Sequence, residues 1–85
     1  MVMAGARISW EIPHAKDRAR ERDVSIFEAE RVIRTGIVEK IEAGPAGETR
    51  WLIAGWDADS RPIHIVVRPV GSDVLRVITV IRKDE

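Results

Sequence analysis

Residues 7–12, RISWEI, alternate Ile8, Trp10 and Ile12 with Arg7, Ser9 and Glu11, the two-residue period of a half-buried strand. Pro13 ends that strand and suits the first turn of a helix. This helix runs to about Arg22 with a thin apolar seam at Ala15 and Ala19. Ser25 and Glu28 then stand as S-x-x-E, which predicts a reciprocal capping box at the start of a second helix. Ile26, Ala29 and Ile33 form its apolar face, and Gly36 is expected to stop it in the left-handed conformation. From Ile37 the period returns to two. Strands are predicted over 37–42, 49–56, 61–69 and 74–82, separated by the turn segments AGPAGE, DADS and VGSD. The order predicts one α+β domain over residues 1–85: an N-terminal strand, two helices, then a four-stranded antiparallel sheet with the helices packed on one face.

Strand alternation also sorts the side chains. Ile63, Ile65 and Val67 oppose His64, Val66 and Arg68, and Leu75, Val77, Thr79 and Ile81 oppose Val74, Arg76, Ile78, Val80 and Arg82. The simplest partition gathers His64, Arg68, Arg76 and Arg82 on the face away from the helices and turns Thr79 towards them. A face of that kind suits an anionic polymer. With Val66, Ile78 and Val80 on it, it also suits a protein interface, including a homodimer closed by a twofold. On the first helix His14, Arg18 and Arg22 are spaced by four and fall in one row at the rim of the sheet, while Lys16 and Arg20 face solvent. Trp10, Trp51 and Trp56 are read as core and rim packing, with one rim indole free to stack on a base.

Composition narrows the class. Fourteen basic and fourteen acidic residues cancel, and a 45% hydrophobic content suits a folded domain. The charge is unevenly placed: residues 37–60 carry a net −3, whereas 61–83, with Arg61, Arg68, Arg76, Arg82 and Lys83 against Asp73, carry +4. There is no cysteine, no secretion-signal pattern and no apolar run long enough to span a bilayer, so a cytoplasmic protein without a membrane partner is expected. Two distant histidines without a carboxylate cluster predict no metal site, and no glycine-rich phosphate loop or nucleophile elbow is present. No cofactor is expected.

The stretch W-E-x-P-H-A followed by R-x-R-E-R-x-V-S-x-x-E-A, residues 10–29, resembles the opening of the BrnT toxins. The HA…R…R opening, G-W-D-A-D-S-R-P-I-H-I-V-V at 55–67 and R-V-I-T-V-I-R at 76–82 are also similar to the family catalogued as domain of unknown function 4258. Both likenesses imply a RelE-like architecture. They further imply a toxin that cleaves RNA without metal, through attack of the ribose 2′-OH on the adjacent phosphate, and that is silenced by a cognate antitoxin protein. On that resemblance Arg68, Arg76 and Arg82 are the phosphate clamps and Thr79 a hydrogen-bonding position. His14 or His64 is the acid or base, and Arg18, Arg22 and Arg61 are further RNA contacts. The chain departs from the BrnT pattern where Glu21, Arg22 and Asp23 replace K-H-G and where His14 replaces a lysine. The alternative is a non-catalytic RNA- or protein-binding module on the same scaffold.

Overall fold

The alternation at Arg7–Ser9 forms a strand, β1, but this strand does not stand apart from the sheet made by the second half of the chain. The computed structural model describes residues 6–10 and 13–82, and the side chains of Pro13, His14 and Arg82 lie outside that description. Glu11 and Ile12 of the first predicted strand, and Lys83 of the basic segment, lie outside the described residues. The elements follow as α1 (Pro13–Glu21), α2 (Ile26–Thr35), β2 (Ile37–Ala43), β3 (Thr49–Trp56), β4 (Pro62–Val70) and β5 (Val74–Arg82). The sheet has five strands in the order β1-β5-β4-β3-β2. β1 joins β5 in parallel, Ile8 opposite Leu75 and Ser9 opposite Arg76, while every other pairing is antiparallel. The expected four-stranded antiparallel sheet is therefore corrected to a mixed five-stranded one. A strand that precedes two helices has no tight turn to dictate its neighbour, so its pairing is set by tertiary packing.

α1 lies over β5 and α2 over β3 and β4, so one face of the sheet is covered. Ala15 and Ala19 from α1, and Ala29, Val32 and Ile33 from α2, are buried against Ile53, Ile63, Ile65, Val67, Leu75, Val77 and Val80. The small residues of the α1 seam let the helix axis approach the sheet closely.

The helix ends depart from the sequence reading in an instructive way. Ser25 does cap α2, accepting from the Glu28 N–H at 3.0 Å. Glu28 does not return the bond; its carboxylate accepts from Ala58 N–H at 2.8 Å and ties α2 to the β3–β4 hairpin. Asp57 organises that hairpin, its Oδ1 accepting from Asp59 N–H at 2.8 Å and Arg61 N–H at 2.9 Å. Gly36 is not left-handed, with φ −76° and ψ −174°. It is small because the chain passes β3 closely there. The left-handed stop belongs instead to α1, where Asp23 has φ 57° and Val24 N–H reaches back to Ala19 O at 2.8 Å. Asp tolerates this conformation better than most residues, and the 6→1 bond closes the helix as a C-terminal glycine would.

Between β2 and β3 the turn is held by one carboxylate. Glu48 accepts from Ala46 N–H at 3.0 Å and from Arg50 Nε at 3.1 Å. Its own backbone N–H does most to hold the Glu48 carboxyl below its ordinary range, against a burial contribution that raises it, and Ala46 and Arg50 add to the lowering. A carboxyl depressed in the folded state means that the unfolded chain binds more protons, so stability rises with pH through this window. The contribution is complete above the ordinary value of 4.5 and is lost as pH falls through the lower folded value. Glu48→Gln should flatten the acid limb of a plot of Tm against pH below that point and leave the neutral region shallow. An acid limb identical to that of the unsubstituted protein would rule this role out.

Candidate nucleic-acid interface

No described helix covers the opposite face of the sheet, and strand registers arrange its side chains in transverse rows. One row runs Ile37, Ala54, His64, Ile81 across β2, β3, β4 and β5. The next runs Lys40, Leu52, Val66, Thr79. The third begins at Glu42 opposite Arg50 and ends with Arg68 opposite Arg76 opposite Ser9, reaching β1. Arg50 directly precedes Trp51, the partner of Val67, so it falls on the Arg68 side of the sheet. Successive rows lie two residues apart along β3 and β4, about 7 Å, while irregularities add one residue between Ile37 and Lys40 on β2 and between Arg76 and Thr79 on β5.

Directly opposed like charges destabilise a strand pair, so Arg68 facing Arg76 is an arrangement that folding alone does not favour. Counter-charges are unevenly supplied. Arg50 is held by Glu48 at 3.0 Å, and Lys40 lies 3.4 Å from Glu42. Arg68 is exposed and, among the described residues, no carboxylate pairs with it. Beside Arg76, where the row meets β1, a cleft of about 500 Å³ opens, lined by Arg7, Ile8, Ser9, Trp10, Val70, Val74 and Arg76.

The last strand contains the main correction to the sequence reading. A bulge shifts the β4–β5 register, with Val66 opposite Thr79 but Val67 opposite Val77. One extra residue reverses the side to which every later residue points. Thr79 therefore shares the helix-free face with Val66 rather than turning to the helices. Val80 lies in the core opposite Ile65, fully buried, and leaves the greasy outer set to which alternation assigned it. His64 pairs with Ile81, and Arg82 pairs with Ile63, so the backbone does not place Arg82 in the His64 row. The side chain of Arg82 lies outside the described residues, as does that of His14.

The remaining candidates scatter. His64 is 8% exposed, with Nε2 3.7 Å from Glu39 Oε2. Four residues along β4 separate it from Arg68, about 13 Å. Arg18 and Arg22 lie in the helix layer, across the sheet from Arg68, and Arg18 pairs with Glu21 at 3.2 Å. Arg61 sits in the β3–β4 turn, its N–H bound to Asp57. Thus Arg68 and Arg76 come together, whereas His64, Thr79, Arg61 and the α1 row do not join them. The structure adds Arg7 and Ser9, which sequence reasoning did not select. Their side of β1 was legible from the RISWEI alternation, but the strand that β1 would join was not. Trp10 and Trp51 pack against the core as expected, whereas Trp56 is 61% exposed beside Pro62 at the far end of the face.

Two helices packed on one face of a mixed five-stranded sheet define an α+β domain. The chain belongs to the family described as Domain of unknown function (DUF4258), whose model matches residues 13–82. That description assigns no activity and does not bear on the BrnT-like resemblance. No curated protein matches the chain, and no solved structure does. No group of metal-ligating side chains occurs among the described residues, and no described helix is long and apolar enough to cross a membrane.

Proposed function

We propose that the protein is a non-catalytic RNA-binding module whose helix-free sheet face takes a single strand, phosphates on the Arg68–Arg76 row and a base against Trp56. The observation that carries this reading is Arg68 standing opposite Arg76, exposed and without an acidic partner among the described residues. Phosphate oxygens suit the forked guanidinium of Arg68 and offset its repulsion from Arg76. From that row to Trp56 the face extends about 20 Å, room for a strand of several nucleotides, with an exposed indole as a sequence-tolerant stacking surface.

Cleavage asks for more. An acid or base must sit within hydrogen-bond reach of the phosphate that the arginines hold. Among the described side chains, His64 is two rows away from that phosphate and packed beside Glu39. The geometry therefore favours binding over the ribonuclease toxin that the resemblance implies.

The test is fluorescence anisotropy with a labelled RNA of about twelve nucleotides, within the footprint of comparable single-strand binders. Binding should weaken steeply with salt, log K falling with log[salt] at about −0.7 per phosphate contact, and the RNA should stay full-length in EDTA. Products with cyclic phosphate ends would overturn the non-catalytic reading in favour of a metal-independent nuclease. Absence of binding at low salt would remove RNA altogether.

One observation favours a second reading, a protein partner such as an antitoxin or a second copy of the chain. Ile37 and Ile81, at the two ends of the His64 row, are 65% and 39% exposed, and Trp56 lies beyond them. Apolar side chains gathered on one flat face mark contact surfaces. A solution mass that doubles with concentration, and that Ile37→Lys returns to monomer, supports the second copy.

A further inference from the structure

We infer that the cleft at the β1–β5 seam is a subsite for a terminal phosphate, the phosphomonoester end of a bound RNA strand. The inference rests on the RNA-binding reading and deepens it, because it assigns one end of the face to one end of the ligand. β1 is an edge strand, and the arginine row stops there. Beyond Arg76 the surface sinks into a cleft of about 500 Å³, the scale of one small ligand such as a nucleotide, rather than continuing as a flat track.

The lining has the chemistry of an anion site. Arg7 and Arg76 supply two guanidiniums, and no carboxylate lines the cleft among the described residues. Ser9, opposite Arg76 and two residues along β1 from Arg7, has a buried Oγ with no hydrogen-bond partner among the described residues. A buried hydroxyl left unmet carries a desolvation cost that a ligand oxygen removes. Val70 and Val74 make an apolar flank.

Charge selects the end over the middle of a strand. An internal phosphodiester carries one negative charge and offers two free oxygens. A phosphomonoester approaches two charges near neutral pH and offers three, one for each of Arg7, Ser9 and Arg76.

The experiment compares one short RNA sequence in three forms: 5′-phosphate, 3′-phosphate, and hydroxyl at both ends. One phosphorylated form should bind at least fivefold tighter than the hydroxyl form, and which one it is sets the polarity of the strand on the sheet. Ser9→Ala, nearly isosteric, and Arg7→Ala should each reduce that advantage to twofold or less. Equal affinity of the three forms overturns the subsite and leaves the RNA-binding reading standing. An end preference that survives both substitutions also overturns it, since the phosphate then sits elsewhere. Failure of all three forms to bind removes the reading beneath it as well.

Discussion

Replacing Arg68 and Arg76 together with alanine is expected to weaken RNA binding by about two to four orders of magnitude at physiological salt. Each guanidinium is assigned a phosphate, and a hydrogen bond to a charged group contributes about 1.5–3 kcal/mol, where 1.4 kcal/mol is tenfold in affinity. The salt slope should also fall by about 1.4, two contacts at about 0.7 each, which separates lost phosphates from a lost fold. Thermal stability should hold or rise slightly, because the double variant removes two like charges that face each other across β4 and β5, a pair that costs about 0.2–1 kcal/mol. Arg18→Ala is the informative comparison. Helical spacing made Arg18 an RNA contact, but the tertiary structure puts it in the helix layer, so its loss should leave binding unchanged. Anisotropy titrations at several salt concentrations, with a melting curve for each variant, read all of this. Equal losses from Arg18→Ala and from the double variant would move the interface to α1.

Gly36→Ala should cost about 2–3 kcal/mol and lower Tm by about 10–20 °C. A Cβ at this position would stand 2.6 Å from Ala54 O, 2.6 Å from Val32 O and 2.9 Å from Ile53 Cγ2. Two of these atoms belong to backbone, so the clash cannot be relieved by a rotamer change. Its φ of −76° is open to any residue, so the effect is steric and not conformational. At about 0.05–0.15 kcal/mol per residue, a chain this small has roughly 4–13 kcal/mol in total, and the loss would be a large share. Gly55→Ala offers a graded comparison, because its Cβ would meet the Val32 side chain at 2.8 Å rather than backbone. It should cost less. Circular dichroism melts of the three proteins decide the point, and a Gly36→Ala curve superimposed on the parent would mean that α2 does not meet β3 as described.

These positions show why some features were legible in the sequence and others were not. The capping serine, the turn at Asp57–Ser60 and the alternation in β3 and β4 are local, acting over two to five residues, and they were found where expected. The reason for Gly36 was misread because a close approach between α2 and β3 leaves no local trace that distinguishes it from a left-handed stop. Glu28 sits at the right spacing for a capping box, yet a distant N–H, that of Ala58, competes successfully for its carboxylate. On β5 the polar residues Arg76, Thr79 and Arg82 stand three apart, a spacing that strict alternation cannot hold on one face, yet it does not locate the extra residue that returns Val80 to the core and brings Thr79 out.

Taken by itself, the amino-acid sequence determined the elements, their order and the inward residues of β3 and β4, because side-chain period and capping chemistry are properties of neighbouring residues. Only the tertiary structure decided which other residues share a surface with the β4 and β5 cations. A single bulge inverts the facing of a strand, and a parallel edge strand finds its place through packing rather than through a turn. The pairing of Arg68 with Arg76 follows from the short β4–β5 turn and was legible, whereas the arrival of Arg7 and Ser9 beside them depends on the edge pairing, and the outward facing of Thr79 on the bulge.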